Sequence, residues 1–211
     1  MKIPCTGVIL AGGLNKRFPC ASKAFIRVGE KCNLDHIYIV FKSLFEEIVL
    51  VTNDPLQYLG WDLNIVTDLF PTRSSLTGIH AGLFFSTNPY VFIAPCDTPF
   101  LKRELVETII DSIKEHIDVI VPQTSAGLEP LCAVYSKKCL KLIEQNLVKQ
   151  KLKIQQFYQK VSVKKIPEKD LRKKDPDLIS FFNINSPDDL SRSEEFVQKP
   201  AWSSHGLITS Y

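Results

Sequence analysis

Apolar residues follow two periods along this chain. Short, nearly unbroken runs occur at 6–10 (TGVIL), 47–52 (EIVLVT), 63–68 (LNIVTD), 90–95 (YVFIAP), 118–122 (DVIVP) and 131–135 (LCAVY). Val, Ile and Leu dominate them with little polar alternation, as in strands covered on both faces. Between the runs the spacing becomes helical: Leu101, Leu105, Ile109 and Ile113 recur every four residues and form one apolar stripe. Similar patterns lie near 34–45, 77–87, 137–149 and 187–193. Strand and helix in alternation imply right-handed crossovers and a mainly parallel sheet. The pattern predicts an α/β sandwich, a single domain over 1–190. From about Ser191 the sequence SRSEEFVQKPAWSSHGLITSY loses periodicity, so 191–211 reads as a mobile C-terminal tail.

Composition narrows the class. With 211 residues, 45% hydrophobic and 23% charged, the chain is ample for a real core. No apolar stretch approaches the roughly 20 residues of a membrane span. The start MKIPCTGVIL carries no secretory pattern, so the expected location is cytoplasmic and away from membranes. Six cysteines form no Cys-x-x-Cys pair and read as reduced thiols. The net charge of +3 hides an uneven distribution: residues 137–174 hold 13 Lys or Arg against 3 Asp or Glu. That stretch reads as a solvated helical face. Its aromatics are Phe157 and Tyr158 alone, too few to suggest a nucleic-acid platform.

In open α/β sheets ligands bind outside the carboxyl ends of strands. The residues standing there are Leu10-Ala11-Gly12-Gly13, then Asn53-Asp54, Asp68 and Cys96-Asp97. Glycines let backbone N–H groups approach an anion closely, and Lys16, Arg17 and Lys23 follow within ten positions. That combination suits a polyphosphate, although Gly-Gly is equally a plain strand-to-helix turn. Neither a P-loop nor a G-x-G-x-x-G loop is present.

Taken together, LAGG, three intervening residues, Arg17, and Lys23 six positions beyond it resemble the signature loop of nucleotidyltransferases. VTND (51–54), TDLFPTRSSLTGIHAGL (67–83), PCDTPFL (95–101), EPLCAVY (129–135) and FFNINSPDDL (181–190) resemble, more specifically, the molybdenum cofactor guanylyltransferases. The resemblance implies a Rossmann-like three-layer sandwich. It also implies a Mg²⁺-dependent transfer of GMP from GTP to the terminal phosphate of molybdopterin, with release of pyrophosphate. Transient contacts with cofactor-biosynthesis proteins or acceptor molybdoenzymes belong to the same expectation. Two departures stand out. The family's Arg-hydrophobic-Gly reads Arg17-Phe18-Pro19, and its Gly-Pro-Leu-Ala-Gly reads Ser75-Leu76-Thr77-Gly78-Ile79.

By this resemblance Leu10, Ala11, Gly12 and Gly13 line the nucleotide, while Arg17 and Lys23 balance charge on the leaving pyrophosphate. Asp97 would hold Mg²⁺. Its simpler reading is helix capping, with Thr98-Pro99 as the N-cap and N1 of a helix over 100–115. Asn53 and Asp68 would bind guanine, or else merely form turns. Asn183 and Asn185 match an Asn-x-Asn near acceptor and metal, and Ser186-Pro187 reads as a helix start. Lys16 reads as exposed, Cys96 as a buried apolar residue and His80 as structural. The alternatives to GMP transfer are CTP with the same acceptor, a sugar-phosphate acceptor, or a non-catalytic nucleotide-binding regulator.

Overall fold

The first apolar run becomes β1 (Cys5–Leu10), the axis of the molecule. In the computed structural model, which describes residues 4–12 and 22–197, β1 pairs in parallel with β4 (Ile48–Val51) on one side and β6 (Tyr90–Pro95) on the other. β5 (Asn64–Val66) extends the sheet beyond β4. Past β6 come β9 (Ala133–Ser136), β7 (Val119–Thr124) and β10 (Val163–Pro167), giving the order β10-β7-β9-β6-β1-β4-β5. β9 is antiparallel to both neighbours. The short β8 (Gly127–Leu128) hairpins onto β7, and β2 (Arg27–Val28) with β3 (Lys31–Cys32) forms a separate ribbon. All six strands expected from the apolar runs are present, in a mixed, mostly parallel sheet.

Successive residues of β1 face opposite layers. Ile9 joins Leu34, Ile37 and Phe41 of α1 (Asn33–Lys42) and Leu105 and Ile109 of α3 (Arg103–Ile110). Val8 joins Leu76, Ile79 and Leu83 of α2 (Ser75–Phe85) and Ile143 and Leu147 of α4 (Leu140–Val148). Helices thus cover both faces, which makes the three layers. α2 lies unusually close because Gly82 faces Val8, where an added Cβ would come within 2.6 Å of a Val8 methyl. Nearer the strand's carboxyl end, Gly78 faces Leu10, at 3.2 Å.

Two helices depart clearly from the sequence expectation. α3 begins at Arg103, not near 100, and ends at Ile110, not near 115. The Thr98 hydroxyl donates to the Pro95 carbonyl (2.9 Å), which closes a turn after β6 instead of capping a helix. α5 (Glu168–Leu171) is one turn. α6 (Pro187–Val197) runs past the expected end at 193 and carries helix seven residues beyond 190. Its Phe196 packs edge-on against Phe100 (5.3 Å between ring centroids) and Phe182 (5.2 Å). This small third cluster ties α6 to β2 and to the turn after β6. Residues 198–211, the rest of the expected tail, lie outside the described residues. Among those described, no helix is long and apolar enough to cross a membrane.

Candidate active site

The parallel strands β1, β4, β5 and β6 end on one side of the sheet, and ladder bonds persist just past their ends. Ala11 N–H donates to Val51 (2.8 Å), Cys96 N–H to Leu10 (2.9 Å) and Thr52 N–H to Val66 (2.9 Å). The residues after the strands are therefore held in register. They border a cleft of about 460 Å³, a size suited to a small-molecule ligand. Leu10, Ala11, Gly12, Lys23, Asp68 and Asp97 all line it, as do Asn183 and Asn185. Gly13, Lys16, Arg17 and Phe18-Pro19 lie outside the described residues.

At one end of the cleft the Lys23 ammonium lies 2.9 Å from Asp97 Oδ2 and also donates to Asn185 Oδ1. Three distant segments make this contact. Lys23 opens a 3-10 turn (Lys23–Phe25), and its carbonyl accepts from the buried Asn33 amide (2.8 Å). Asp97 follows β6 directly and is nearly buried, at 9% exposure. Asn185 arrives from the far end of the chain. Its segment is fixed by Ile184 N–H donating to the Asp97 carbonyl (2.9 Å), and by Asp189, which accepts from Asn185 N–H (3.1 Å) and from the Ser186 hydroxyl (2.8 Å). Asp189 N–H returns a bond to Ser186 Oγ (3.2 Å), the reciprocal pattern of a helix start. Farther back, the fully buried Asp175 accepts from Ser180 N–H (2.8 Å) and pairs with Lys102 (2.8 Å). With its charge so paired, it anchors the loop that carries Asn183 and Asn185.

At the other end, Asp68 has a neutral partner. Asn53 Nδ2 donates to Asp68 Oδ2 (2.8 Å), so this amide is spent on the carboxylate and Asn53 stands behind Gly12 instead of bordering the cleft. Burial pushes the Asp68 carboxyl above its ordinary range. The Asn53 bond and the charges of Arg73 and His80 pull it back only in part. Arg73, Ser74 and Ser75 also line the cleft, where Ser74 caps α2 by accepting from Thr77 N–H (3.2 Å).

Sequence reasoning gave no role to Arg73 or Tyr58. A cation directly before a serine-capped helix was the available signal for Arg73. The buried Tyr58 hydroxyl lies 3.0 Å from Ser22 Oγ and 3.4 Å from the Ala11 carbonyl. It thereby touches both flanks of the signature loop. Cys96 is buried, and desolvation drives its thiol far above the usual range, which leaves no thiolate for nucleophilic chemistry. His80 is 2% exposed, with Nε2 3.1 Å from Glu144 Oε1, a structural contact as expected.

Gly12 just past a strand's carboxyl end, an ammonium on a near-buried aspartate, and a hydrogen-bonding carboxylate across the same cleft suit a nucleotide-handling α/β protein, and the chain is of the NTP-transferase class. Comparison narrows the class further: residues 7–164 match the MobA-like NTP transferase domain, and the chain belongs to that family. It is 47% identical to the molybdenum cofactor guanylyltransferase of Desulfosudis oleivorans, over 92% of this chain and 96% of that one. It is 35% identical to a probable molybdenum cofactor guanylyltransferase of Pelotomaculum thermopropionicum, over 93% and 95%. Among solved structures, molybdopterin-guanine dinucleotide biosynthesis protein A of Archaeoglobus fulgidus superposes with a TM-score of 0.79 at 29% identity, covering 90% of this chain and 97% of that one.

Proposed function

We propose that this protein transfers GMP from GTP to molybdopterin. An oxygen of the acceptor's terminal phosphate attacks the α-phosphorus of GTP; the new P–O bond forms as the α–β bridge breaks, and pyrophosphate leaves with the bonding pair. The observation that carries the reading is the meeting of Lys23, Asp97 and Asn185 beside Gly12, with Asp68 across the same cleft.

The chain's own residues have simple work to do. The Gly12 N–H just past β1 receives a phosphate oxygen, and the Lys23 ammonium neutralises charge that grows on the leaving group. A phosphate acceptor is already ionised near neutral pH, so no general base is needed. Asp68 accepts hydrogen bonds from the donor edge of guanine, and Asn53 orients it.

Mg²⁺ fits the donor set at the transfer end. Asp97 Oδ2 and Asn185 Oδ1 already converge on one cation, the Lys23 ammonium, and both are the hard oxygens that Mg²⁺ selects. Among the described residues no cluster of three or more His, Cys, Asp or Glu exists. A single carboxylate suits Mg²⁺, which takes one or two from the protein and the rest from substrate phosphates and water. When bound, the ion would supply charge neutralisation at the phosphates. The deciding experiment is pyrophosphate release with molybdopterin and each of GTP, CTP and ATP, with and without Mg²⁺. Release that requires the acceptor and favours GTP is expected. Release with CTP alone would reassign the base, and no release with any nucleotide would favour a non-catalytic binder.

A further inference from the structure

We propose that Lys23 is the resident counter-cation of the transfer site: its ammonium holds Asp97 and Asn185 until a nucleotide draws it away, and only then are their oxygens free for a divalent cation. This rests on the reading of Asp97 and Asn185 as metal-facing groups given above.

The geometry is specific. The side chain of Asp97 is 13% exposed, and a carboxylate this far from water needs a compensating charge. Lys23 supplies it at 2.9 Å, while a second ammonium proton goes to Asn185 Oδ1. An ammonium only donates, with three protons; here it occupies the same two oxygens that a hard cation would use. A divalent ion placed on them would face Lys23 at close range in a partly desolvated site, where like charges repel strongly. The two cations therefore compete.

Only one of them can step aside. The Lys23 backbone is fixed by its 3-10 turn and by the Asn33 amide, but the ammonium sits on a flexible four-carbon stem. A triphosphate offers it charge-assisted partners. One residue would then serve two successive partners, carboxylate before nucleotide and phosphate after it. Metal and nucleotide binding become coupled through the position of one side chain, and such coupling is reciprocal.

Mn²⁺ alone is the probe, titrated into nucleotide-free protein with free Mn²⁺ read by electron paramagnetic resonance. Wild type, Lys23→Met, Lys23→Gln and the double variant Lys23→Met/Asp97→Asn are compared, with melting curves to establish folding. The wild type should bind Mn²⁺ weakly. Both single variants should bind one ion about tenfold tighter or more, within the usual range for coupled sites, and the double variant should lose that gain. Equal Mn²⁺ affinity in wild type and both Lys23 variants would overturn the proposal, as would a gain that survives Asp97→Asn. Pyrophosphate release by the same wild-type preparation tests the reaction separately. Its absence would sink the assigned activity and leave the Mn²⁺ comparison readable.

Discussion

The cleft holds two aspartates just past the ends of two parallel strands, β5 and β6, which β1 and β4 separate in the sheet, and they are partnered in opposite ways. Asp97 meets an ammonium at 2.9 Å, whereas Asp68 meets a neutral amide at 2.8 Å. At Asp97 an ammonium already sits on the carboxylate oxygen. At Asp68 burial outweighs the Asn53 bond and the nearby Arg73 and His80, which leaves its carboxyl above the ordinary range. On the proposed function the same residue type does two jobs because different segments cover it. One end of the cleft is arranged for charge, the other for hydrogen-bond readout.

The largest expected effect breaks the ionic end. Asp97→Asn keeps size and shape but removes the charge, and metal-assisted phosphate chemistry is worth several kcal/mol. Turnover should fall by about a thousandfold or more, at about 1.4 kcal/mol per tenfold, while the melting temperature stays near that of wild type. Normal turnover would end the metal-facing assignment. The helix-capping reading of Asp97 has no support in the fold, since α3 starts six residues later.

Next comes Lys23→Ala. Loss of a contact that strengthens in the transition state should cost about 2–4 kcal/mol in kcat. A pure binding role would instead appear in KM with kcat unchanged, and steady-state kinetics separate the two.

Asp68→Asn should sharpen the contrast by acting on selectivity, not on rate. Hydrogen bonds to a charged group contribute about 1.5–3 kcal/mol, so the GTP preference over ATP should drop by about ten- to a hundredfold. Stability should move the other way. A carboxyl whose pKa is higher in the fold than in the unfolded chain destabilises the fold when ionised, and the loss sets in as pH rises above the unfolded value. Removing that charge should therefore raise the melting temperature slightly at neutral pH. In the wild type, protonation of Asp68 at acid pH should weaken GTP binding before it affects the fold. A GTP KM that stays flat as pH falls would argue against base readout by this carboxylate.

The smallest effect belongs to Asn53→Ala. It removes one hydrogen bond, about 1 kcal/mol, and pushes the Asp68 carboxyl further up. The acid limb of the GTP KM profile should move to higher pH with kcat intact. A change in kcat would mean that Asn53 touches the reacting groups.

Much of this was legible before any coordinates. The six apolar runs became strands because burial on both faces demands continuous Val, Ile and Leu, and the cleft lies where those strands end. β10 was not legible: VKKIP places two lysines on an edge strand, a common protection for edges that leaves no apolar run. The start of α3 was misplaced because Thr98-Pro99 has good capping chemistry, yet the Thr98 hydroxyl found a carbonyl within its own turn. The pairing of Lys23 with Asn185 spans 162 positions of the chain, and that of Lys102 with Asp175 joins two further segments far apart in sequence. No local periodicity encodes contacts of that range.

The loop behind Asn185 has a consequence for timing. Every strand of the main sheet is complete by Pro167, and the chain emerges from the ribosome amino end first. The segment that brings Asn183 and Asn185 to the cleft, pinned by Asp175 and by Ile184 N–H on the Asp97 carbonyl, comes after all of them. A nascent chain can hold every described strand of the sheet while the cleft still lacks Asn183 and Asn185. On the proposed function, activity waits for the last thirty or so residues that the structure describes, and a cut between Pro167 and Asn183 is expected to abolish turnover while removing no strand among the described residues.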